Sequence, residues 1–196
     1  MDSLLPGLAL IRTHLQPKKL HQLLDHFGSA AAVLSAPAQQ LEQLELSADI
    51  IQRIQNPDQA GVERDLAWSK REGHHIISLD DPRYPDLLKT IRHPPYILFA
   101  IGDCDYLRQP QLAMVGSRNP TAAGKRTAHD FARHLSDAGL TICSGLARGI
   151  DTYCHQGALE GLAGTVAVVA NGLDKIYPPS NTQLAKQIAD NGCIIS

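Results

Sequence analysis

The chain has 196 residues, 43% of them apolar, and its 18 Lys and Arg nearly balance its 20 Asp and Glu. This composition supports a packed core in one large or two small domains. It excludes disorder of the whole chain, a generally basic DNA-coating protein and an acidic tail. No stretch approaches the roughly 18 consecutive apolar residues of a membrane helix, and no signal-peptide pattern follows the N-terminus. We therefore expect a cytoplasmic protein without a membrane segment.

Residues 1–60 predict a small all-helical domain. Leu20, Leu23, Leu24 and Phe27 recur at the spacing of one helix face, and Gly28 marks the end of that helix. Leucines and isoleucines repeat this pattern in two further short segments. The size matches a sterile-alpha-motif (SAM-like) or helix-hairpin-helix domain, but the hairpin glycines of the DNA-binding type are missing. We expect this domain to pack or to dock a partner.

Residues 61–110 are expected to form a connector that packs on the domain after it. A helix through Val62, Leu66 and Trp68 precedes a strand at 75–79 and an apolar run at 96–101. Prolines bound these pieces, which favours a connector over an independent fold.

From residue 111 onward, strands and helices alternate with short connections, and we assign 111–196 to one domain. Strands are predicted at 112–115, 140–143, 165–170 and from 193 onward. The first helix is expected to present Ala128, Phe131, Leu135 and Ala138 to the core. This alternation predicts an α/β fold, a parallel sheet with helices on both faces. Because the last strand reaches the end of the chain, we expect an incomplete, truncated part of a longer doubly wound sheet.

The loop after the first of these strands contains Gly116, Ser117 and Arg118. In such sheets, ligands bind at the carboxyl ends of the strands, where loops enter helix N-termini. A glycine lets the backbone approach a ligand, a helix N-terminus offers free amides, and an arginine can form two hydrogen bonds with a phosphate. These features favour an anion site. An ordinary turn with an exposed arginine is the alternative.

The helix that follows this loop is expected to be capped by Asn119 or Thr121, with Pro120 in its first turn. The glycine spacing matches neither a Walker loop nor the glycine triplet of dinucleotide-binding folds. The remaining interpretation is an anion site without a cofactor.

The loop after the next strand contains Gly145, Arg148 and Gly149, followed by Asp151. A second arginine at the same sheet edge predicts a cradle for consecutive phosphates. Asp151 is expected to cap its helix or to hold Arg148. A catalytic role is less favoured because no second carboxylate lies nearby to form an acid/base pair. His155 is expected to be a packed histidine and not a metal ligand.

Further cationic candidates lie around these loops. The run 110–129 contains Arg118, Lys125 and Arg126 and no carboxylate, so it is where a polyanion would bind. The loop after the third strand adds Lys175 and Tyr177. The tyrosine suits base stacking or closure of a pocket, and a core position with its hydroxyl at the rim is an equal alternative.

The four cysteines are far apart and form no CxxC pair, which favours buried reduced thiols over zinc or redox chemistry. We expect no catalytic residue, no metal and no cofactor.

Several of these strings occur together in the order of a known family. They include Met-Val-Gly-Ser-Arg-Asn-Pro at 114–120, Ser-Gly-Leu-Ala-Arg-Gly-Ile-Asp at 144–151 and Gly-Leu-Asp with Tyr-Pro at 172–178. Upstream, Asp-Pro-Arg-Tyr-Pro at 81–85 also fits. With these strings the chain resembles the DNA-processing protein A family, DprA, also called Smf.

The resemblance implies a Rossmann-like domain that binds single-stranded DNA. It also implies protection of incoming DNA during natural transformation, help in loading the RecA recombinase, and a homodimer of the full-length protein. Arg118 would be the principal phosphate contact, with Gly116, Ser117, Gly145 and Arg148 shaping the cradle.

Two other function classes stay open beside this non-enzymatic binding protein. One is a nucleotide-hydrolysing enzyme of the phosphoribohydrolase type on a related fold. Its Pro-Gly-Gly-x-Gly-Thr string is represented here only by Gly-Leu-Ala-Gly-Thr at 161–165. The other is an interaction scaffold that acts mainly through the helical domain.

Overall fold

The computed structural model describes residues 4–196, which divide into two units. The first unit contains residues 4–71, 78–81 and 86–97, and the second contains 72–77, 82–85 and 98–196. The sequence-based division at 1–60, 61–110 and 111–196 stays a prediction.

The first unit is helical and has its own apolar core. Leucines, isoleucines, alanines and a valine that are at most 7% exposed form this core, with Leu23, Val33, Leu41 and Ile54 wholly buried. Its helices are α1 (Leu4–Ile11), α2 (Pro17–Phe27), α3 (Ala30–Leu34), α4 (Ala38–Gln43), α5 (Ala48–Gln55), α6 (Gln59–Ser69) and α7 (Asp86–Lys89).

Helix α2 forms as its leucine spacing predicts. Leu20 and Leu23 are buried in the core, and Leu24 and Phe27 pack against it. Gly28 adopts the left-handed conformation, and its amide donates to the carbonyl of Leu24 at 2.8 Å, which ends the helix.

The second unit is built on a six-stranded sheet. Its strand order is β1-β2-β6-β5-β4-β3. The strands are β1 (His74–Ser78), β2 (Ile97–Gly102), β3 (Gln111–Ala113), β4 (Thr141–Ser144), β5 (Thr165–Val168) and β6 (Gly192–Ile195). The connecting helices are α8 (Ala122–Asp137), α9 (Ile150–Leu159) and α10 (Thr182–Asn191).

The α/β class with a Rossmann-like sheet is confirmed, with two differences in detail. Strands β3 to β6 are parallel, but β2 runs antiparallel to β6, so the sheet is mixed. The second difference concerns the helices, which the alternation predicts on both faces. The order β3-β4-β5-β6 advances in one direction, so crossovers of the usual right hand place α8, α9 and α10 on one face, where α9 contacts both α8 and α10. The 3-10 helix Cys104–Arg108 contacts β5 and β6.

The predicted core face of α8 is wrong in part. Ala128, Ala132 and Ser136 are buried, whereas Phe131 is 54% exposed and Ala138 is exposed. The reason is the close packing of α9, because a Cβ on its Gly157 would contact the backbone carbonyl of His129. Only small side chains fit this helix contact, so the bulky Phe131 faces away from it.

All four cysteines are reduced thiols, as expected. Three are buried and Cys143 is half-buried. A hydrogen bond with Cys104, together with burial, raises the pKa of the Cys193 thiol. Burial also raises the pKa of Cys154 to about 11. Among residues 4–196, none of the helices combines the length and the apolarity that spanning a bilayer requires.

Candidate nucleic-acid interface

Two clefts lie at the carboxyl ends of the parallel strands and share one wall. Arg118, Asn119 and Arg148 line both of them. Cleft A has a volume of about 440 Å³ and is completed by Gly145, Ala147, Val169, Ala170, Asn171, Tyr177 and Pro178. Cleft B has a volume of about 390 Å³ and is completed by Pro120, Lys125, Gly149, Thr152 and Tyr153. Neither set of lining residues includes a carboxylate.

The loop between β3 and α8 is ordered by two hydrogen bonds between residues close in sequence. The Thr121 hydroxyl accepts from the amide of Gly124 at 3.1 Å and caps α8, as one of the two predicted alternatives. The Ser117 hydroxyl accepts from the amide of Asn119 at 3.1 Å. Pro120 precedes the cap, so its predicted place in the first helical turn is wrong. With Thr121 as the cap, Asn119 is free to line the clefts.

The loop between β4 and α9 lies directly against the first loop. Gly149 has a φ of +88°, and a Cβ there would contact the carbonyl of Ser117 and would lie 2.7 Å from the Cα of Arg118. The next amide, that of Ile150, donates to the same Ser117 carbonyl at 3.0 Å. Only glycine allows this approach, and the approach brings the two arginine-bearing loops together.

Gly116 makes a close contact within the protein, and its predicted approach to a ligand stays a prediction. A Cβ at this position would lie 2.7 Å from the side chain of Ile150. The glycine therefore lets the first loop pack on the start of α9.

Asp151 organises the second loop from the first turn of α9. Its Oδ2 accepts from the amide of Gly145 at 3.2 Å and from that of Ala147 at 3.3 Å, and the residue is 7% exposed. The cap position of α9 is Gly149, which has no side chain to act as a cap. The predictions that Asp151 caps α9 or contacts Arg148 are therefore wrong, because its carboxylate accepts hydrogen bonds from the backbone of the loop.

Asn181 also holds this loop. Its Nδ2 donates to the carbonyl of Leu146 at 2.9 Å and to the Thr152 hydroxyl at 3.0 Å. Thr152 in turn donates to the carbonyl of Ala147 at 2.8 Å. Leu146 is buried with a φ of 59°, a conformation that costs a non-glycine residue about 1 to 2 kcal/mol. These contacts stabilise that strained turn.

His155 is a packed histidine, as predicted, and its ring supports the loop. The amide of Leu146 donates to its Nε2 at 3.3 Å. The proton therefore resides on Nδ1, which donates to the Thr165 hydroxyl at 2.8 Å, and that hydroxyl donates to the carbonyl of Ile142 at 2.6 Å. Burial lowers the pKa of His155 to about 4, so the ring is neutral near pH 7.

The structure brings some of the predicted binding residues together and leaves others apart. Arg118, Gly145, Arg148, Gly149 and Lys125 all line at least one of the two clefts. Gly116 and Ser117 support the wall through their backbone. Arg126 and Lys175 are exposed and do not belong to either lining.

Two tyrosines flank the shared wall. Tyr177 is 69% exposed and lines cleft A, which favours the predicted role at a pocket over the core alternative. Tyr153 lines cleft B and packs on the small core between α8 and α9. The Lys125 ammonium lies over the Tyr153 ring, 5.6 Å from its centroid.

Sequence reasoning missed Asn181, Thr152 and Tyr153. Asn181 reaches a loop 35 positions earlier in the chain, and nothing local to it indicates such a contact. Tyr153 sits at helical spacing from the core residue Ile150, so its pattern alone suggests a core position. Among the described residues, no group of three or more His, Cys, Asp and Glu side chains is arranged to hold a metal ion.

A family model described as DNA recombination-mediator protein A matches residues 75–196. The chain belongs to the DNA recombination-mediator protein A family. The match covers the whole sheet from β1 to β6 except the first residue of β1, and it includes both arginine-bearing loops. The resemblance that the loop strings indicated is confirmed.

Curated relatives of this family carry the names Smf and DprA. Protein Smf of Synechocystis is 40% identical over 135 residues, which are 67% of this chain and 34% of that protein. Protein Smf of Escherichia coli is 36% identical over 152 residues, which are 78% of this chain and 41% of that protein. The chain thus matches less than half the length of either relative.

Two solved structures of family members are similar to this one. The X-ray structure of DprA from Streptococcus pneumoniae has a TM-score of 0.79 at 28% identity, covering 96% of this chain and 65% of that one. A DprA structure from Helicobacter pylori has a TM-score of 0.57 at 31% identity, covering 63% of this chain and 54% of that one. The latter was described for its single-stranded DNA binding mode.

Proposed function

We propose that this chain binds single-stranded DNA at clefts A and B without acting as an enzyme. The observation that carries the proposal is that Arg118 and Arg148, from two different loops, line the same two clefts. Guanidinium groups bind phosphates through paired hydrogen bonds, and here no carboxylate of the linings competes for them. Membership of the family and the single-stranded DNA binding mode described for the Helicobacter pylori protein support the same conclusion.

The chemistry of the clefts favours a single strand over a duplex. Single-strand binders combine a cationic groove for the backbone with aromatic rings on which unpaired bases stack. Arg118, Arg148 and Lys125 supply the cations, and the exposed Tyr177 supplies a ring. Gly116, Ser117, Gly145 and Gly149 shape the backbone around them. Arg126 and Lys175 are retained as outlying candidates for phosphate contact.

Titration of a fluorescent oligothymidylate into the full chain tests this proposal. We expect binding that is insensitive to base sequence and that weakens steeply with salt, because each neutralised phosphate of a single strand contributes a slope of about −0.7 in log K against log salt. A duplex of the same length should bind more weakly. Binding that does not respond to salt would refute the proposal. Release of free base from nucleoside monophosphates would also refute it and would favour the nucleotide-hydrolysing alternative.

The wider role of the whole protein is also a proposal. We infer that it protects incoming single-stranded DNA in the cytoplasm during natural transformation, helps to load RecA on that DNA and forms a homodimer at full length. Family membership supports these partners. They are tested by RecA strand exchange on protein-coated DNA and by the mass of the protein in solution. Unchanged RecA activity, or a monomeric mass at full length, would contradict them.

A further inference from the structure

We infer that the two clefts divide one DNA strand between them: cleft A receives a base, and cleft B receives the backbone phosphate of the neighbouring nucleotide on Lys125, which Tyr153 positions. This inference rests on the proposed single-stranded DNA binding.

The two clefts differ in the side chains that line them. Beyond the shared wall, cleft A is lined by Val169, Ala170, Pro178 and the exposed ring of Tyr177. These are apolar and aromatic surfaces on which a base can stack. The amide side chain of Asn171 donates within its own loop, to the carbonyls of Gly172 and Lys175.

Cleft B has the opposite character. It adds Lys125 to the two shared arginines, so three cationic side chains line a volume of about 390 Å³. Outside the shared wall, its other side chains are Pro120, the Tyr153 ring and Thr152, whose hydroxyl is already bonded to Ala147 and Asn181. Cationic side chains without a nearby carboxylate favour the anionic oxygens of the phosphodiester backbone over the face of a base.

The Lys125 side chain is positioned by the ring of Tyr153. A lysine has a flexible stem and loses side-chain entropy when it binds a phosphate. Here its ammonium lies 5.6 Å from the centroid of the Tyr153 ring, within the range of cation–π attraction. Because Tyr153 is anchored in the core between α8 and α9, its ring holds the ammonium at the mouth of cleft B. Tyr153 is thus a positioning residue.

The shared wall then fixes the order along the strand. Arg118 and Arg148 face both clefts, so the phosphate of the nucleotide whose base occupies cleft A lies on these two guanidinium groups. The next phosphate lies on Lys125.

The test measures oligothymidylate affinity and its salt dependence for Lys125→Gln, Tyr153→Leu, Tyr153→Phe and the combination of Lys125→Gln with Tyr153→Leu. Lys186→Gln is the matched control, because Lys186 is exposed on α10 and lines neither cleft. We expect Lys125→Gln to weaken binding roughly threefold or more at low salt and to reduce the salt slope by about 0.7, the value of one phosphate. Tyr153→Leu should lower affinity in the same direction. Tyr153→Phe, which keeps the ring, should match the wild type.

The combined variant separates positioning from direct contact. If Tyr153 acts through Lys125, Tyr153→Leu has no effect in the Lys125→Gln background. A further loss there would mean that the ring touches DNA itself and would overturn the positioning role. Lys125→Gln that behaves like Lys186→Gln would overturn the assignment of cleft B, even if Tyr153→Leu is too unstable to measure.

Two further measurements complete the test. One distinguishes free phosphate from the DNA backbone as the ligand of cleft B, and the other distinguishes failure of this inference from failure of the proposed function. Titration with inorganic phosphate alone should show no saturable binding that depends on Lys125, and such binding would assign cleft B to a free anion instead of the DNA backbone. Wild-type protein that fails to bind any single-stranded DNA would refute the proposed function, and this inference with it. If the wild type binds single-stranded DNA and Lys125→Gln binds it with the same affinity, only this inference is refuted.

Discussion

The backbone amide of Ile150 donates to the carbonyl of Ser117 at 3.0 Å, which joins the loop after β3 to the loop after β4. The hydrogen bond is possible because Gly149, immediately before Ile150, has no side chain to separate the two backbones. The relative position of Arg118 and Arg148 therefore depends on a glycine that need not touch a ligand.

Replacing Gly149 by alanine is expected to reduce both stability and DNA affinity. The backbone conformation of Gly149, with φ +88° and ψ −132°, is one that essentially only glycine adopts, and it alone costs an alanine roughly 1 to 3 kcal/mol of unfolding free energy. The contacts of its Cβ with Ser117 and Arg118 add to this cost and push the two loops apart. Denaturant unfolding and oligothymidylate affinity measure the two effects.

Gly139→Ala is the matched control for that substitution. Gly139 has a φ of +89°, but a Cβ there would meet nothing within 4 Å. We expect a loss of roughly 1 to 2 kcal/mol of stability and unchanged DNA affinity. Equal DNA affinities for Gly149→Ala and Gly139→Ala would contradict the role assigned to the loop contact.

Asn181→Asp is expected to be more destabilising than Asn181→Ala. Alanine leaves the carbonyls of Leu146 and Ala147 without their amide donor, at a cost of about 1 to 3 kcal/mol. Aspartate adds a carboxylate that faces those carbonyl oxygens, and it cannot donate when ionised. Thermal unfolding at neutral pH and hydrogen exchange of the loop amides measure the difference.

Asn191→Ala serves as the control for Asn181, because Asn191 is exposed and its side-chain amide donates at 3.4 Å to a carbonyl of its own helix. The free energy of unfolding of Asn191→Ala should differ from that of the wild type by no more than about 0.5 kcal/mol. If Asn181→Asp were as stable as Asn181→Ala, the side chain would not be acting as a donor to this loop.

His155 predicts a specific loss of stability in mild acid. Its pKa is lowered from 6.5 to about 4 in the folded chain, so below pH 6.5 the unfolded chain binds a proton that the folded chain does not. The contribution of neutral His155 to the free energy of unfolding is complete above pH 6.5 and is lost as the pH falls through about 4. Between these values the free energy of unfolding falls by about 1.4 kcal/mol per pH unit, to a total loss of about 3 kcal/mol.

Urea unfolding of the wild type and of His155→Gln between these pH values isolates this effect, because the other histidines are common to both proteins. We expect the variant to have the shallower pH dependence, whatever its absolute stability. A protonated His155 ring at pH 5.5 by nuclear magnetic resonance would be incompatible with the buried Nδ1–H tautomer.

Much of the second unit follows from local sequence patterns. Apolar runs alternate with segments whose apolar residues recur at helical spacing, and this pattern predicts β4, β5 and β6 and the helices between them. Turn residues after the strands place the two arginine-bearing loops at the edge of the sheet. Gly28 ends α2 as the pattern requires. These features are local, so a single chain segment is enough to reveal them.

The features that the sequence patterns did not reveal depend on contacts between distant segments. The antiparallel pairing of β2 with β6 joins Ala100 to Ile195, and neither segment indicates the other as its partner. The outward position of Phe131 depends on how closely α9 approaches α8. Asp151 was predicted as a cap because it begins a helix, yet its carboxylate reaches back to the loop amides.

The central claim is that Arg118 and Arg148 form one binding site for single-stranded DNA. It is tested most directly by oligothymidylate affinity of Arg118→Ala, Arg148→Ala and the double variant, with Arg108→Ala as the control. Arg108 is exposed and lines neither cleft. We expect each single variant to lose roughly 10- to 100-fold in affinity, the value of a charged hydrogen bond, and the double variant to lose less than the product of the two. Arg118→Ala and Arg148→Ala that bind as tightly as Arg108→Ala would contradict the claim.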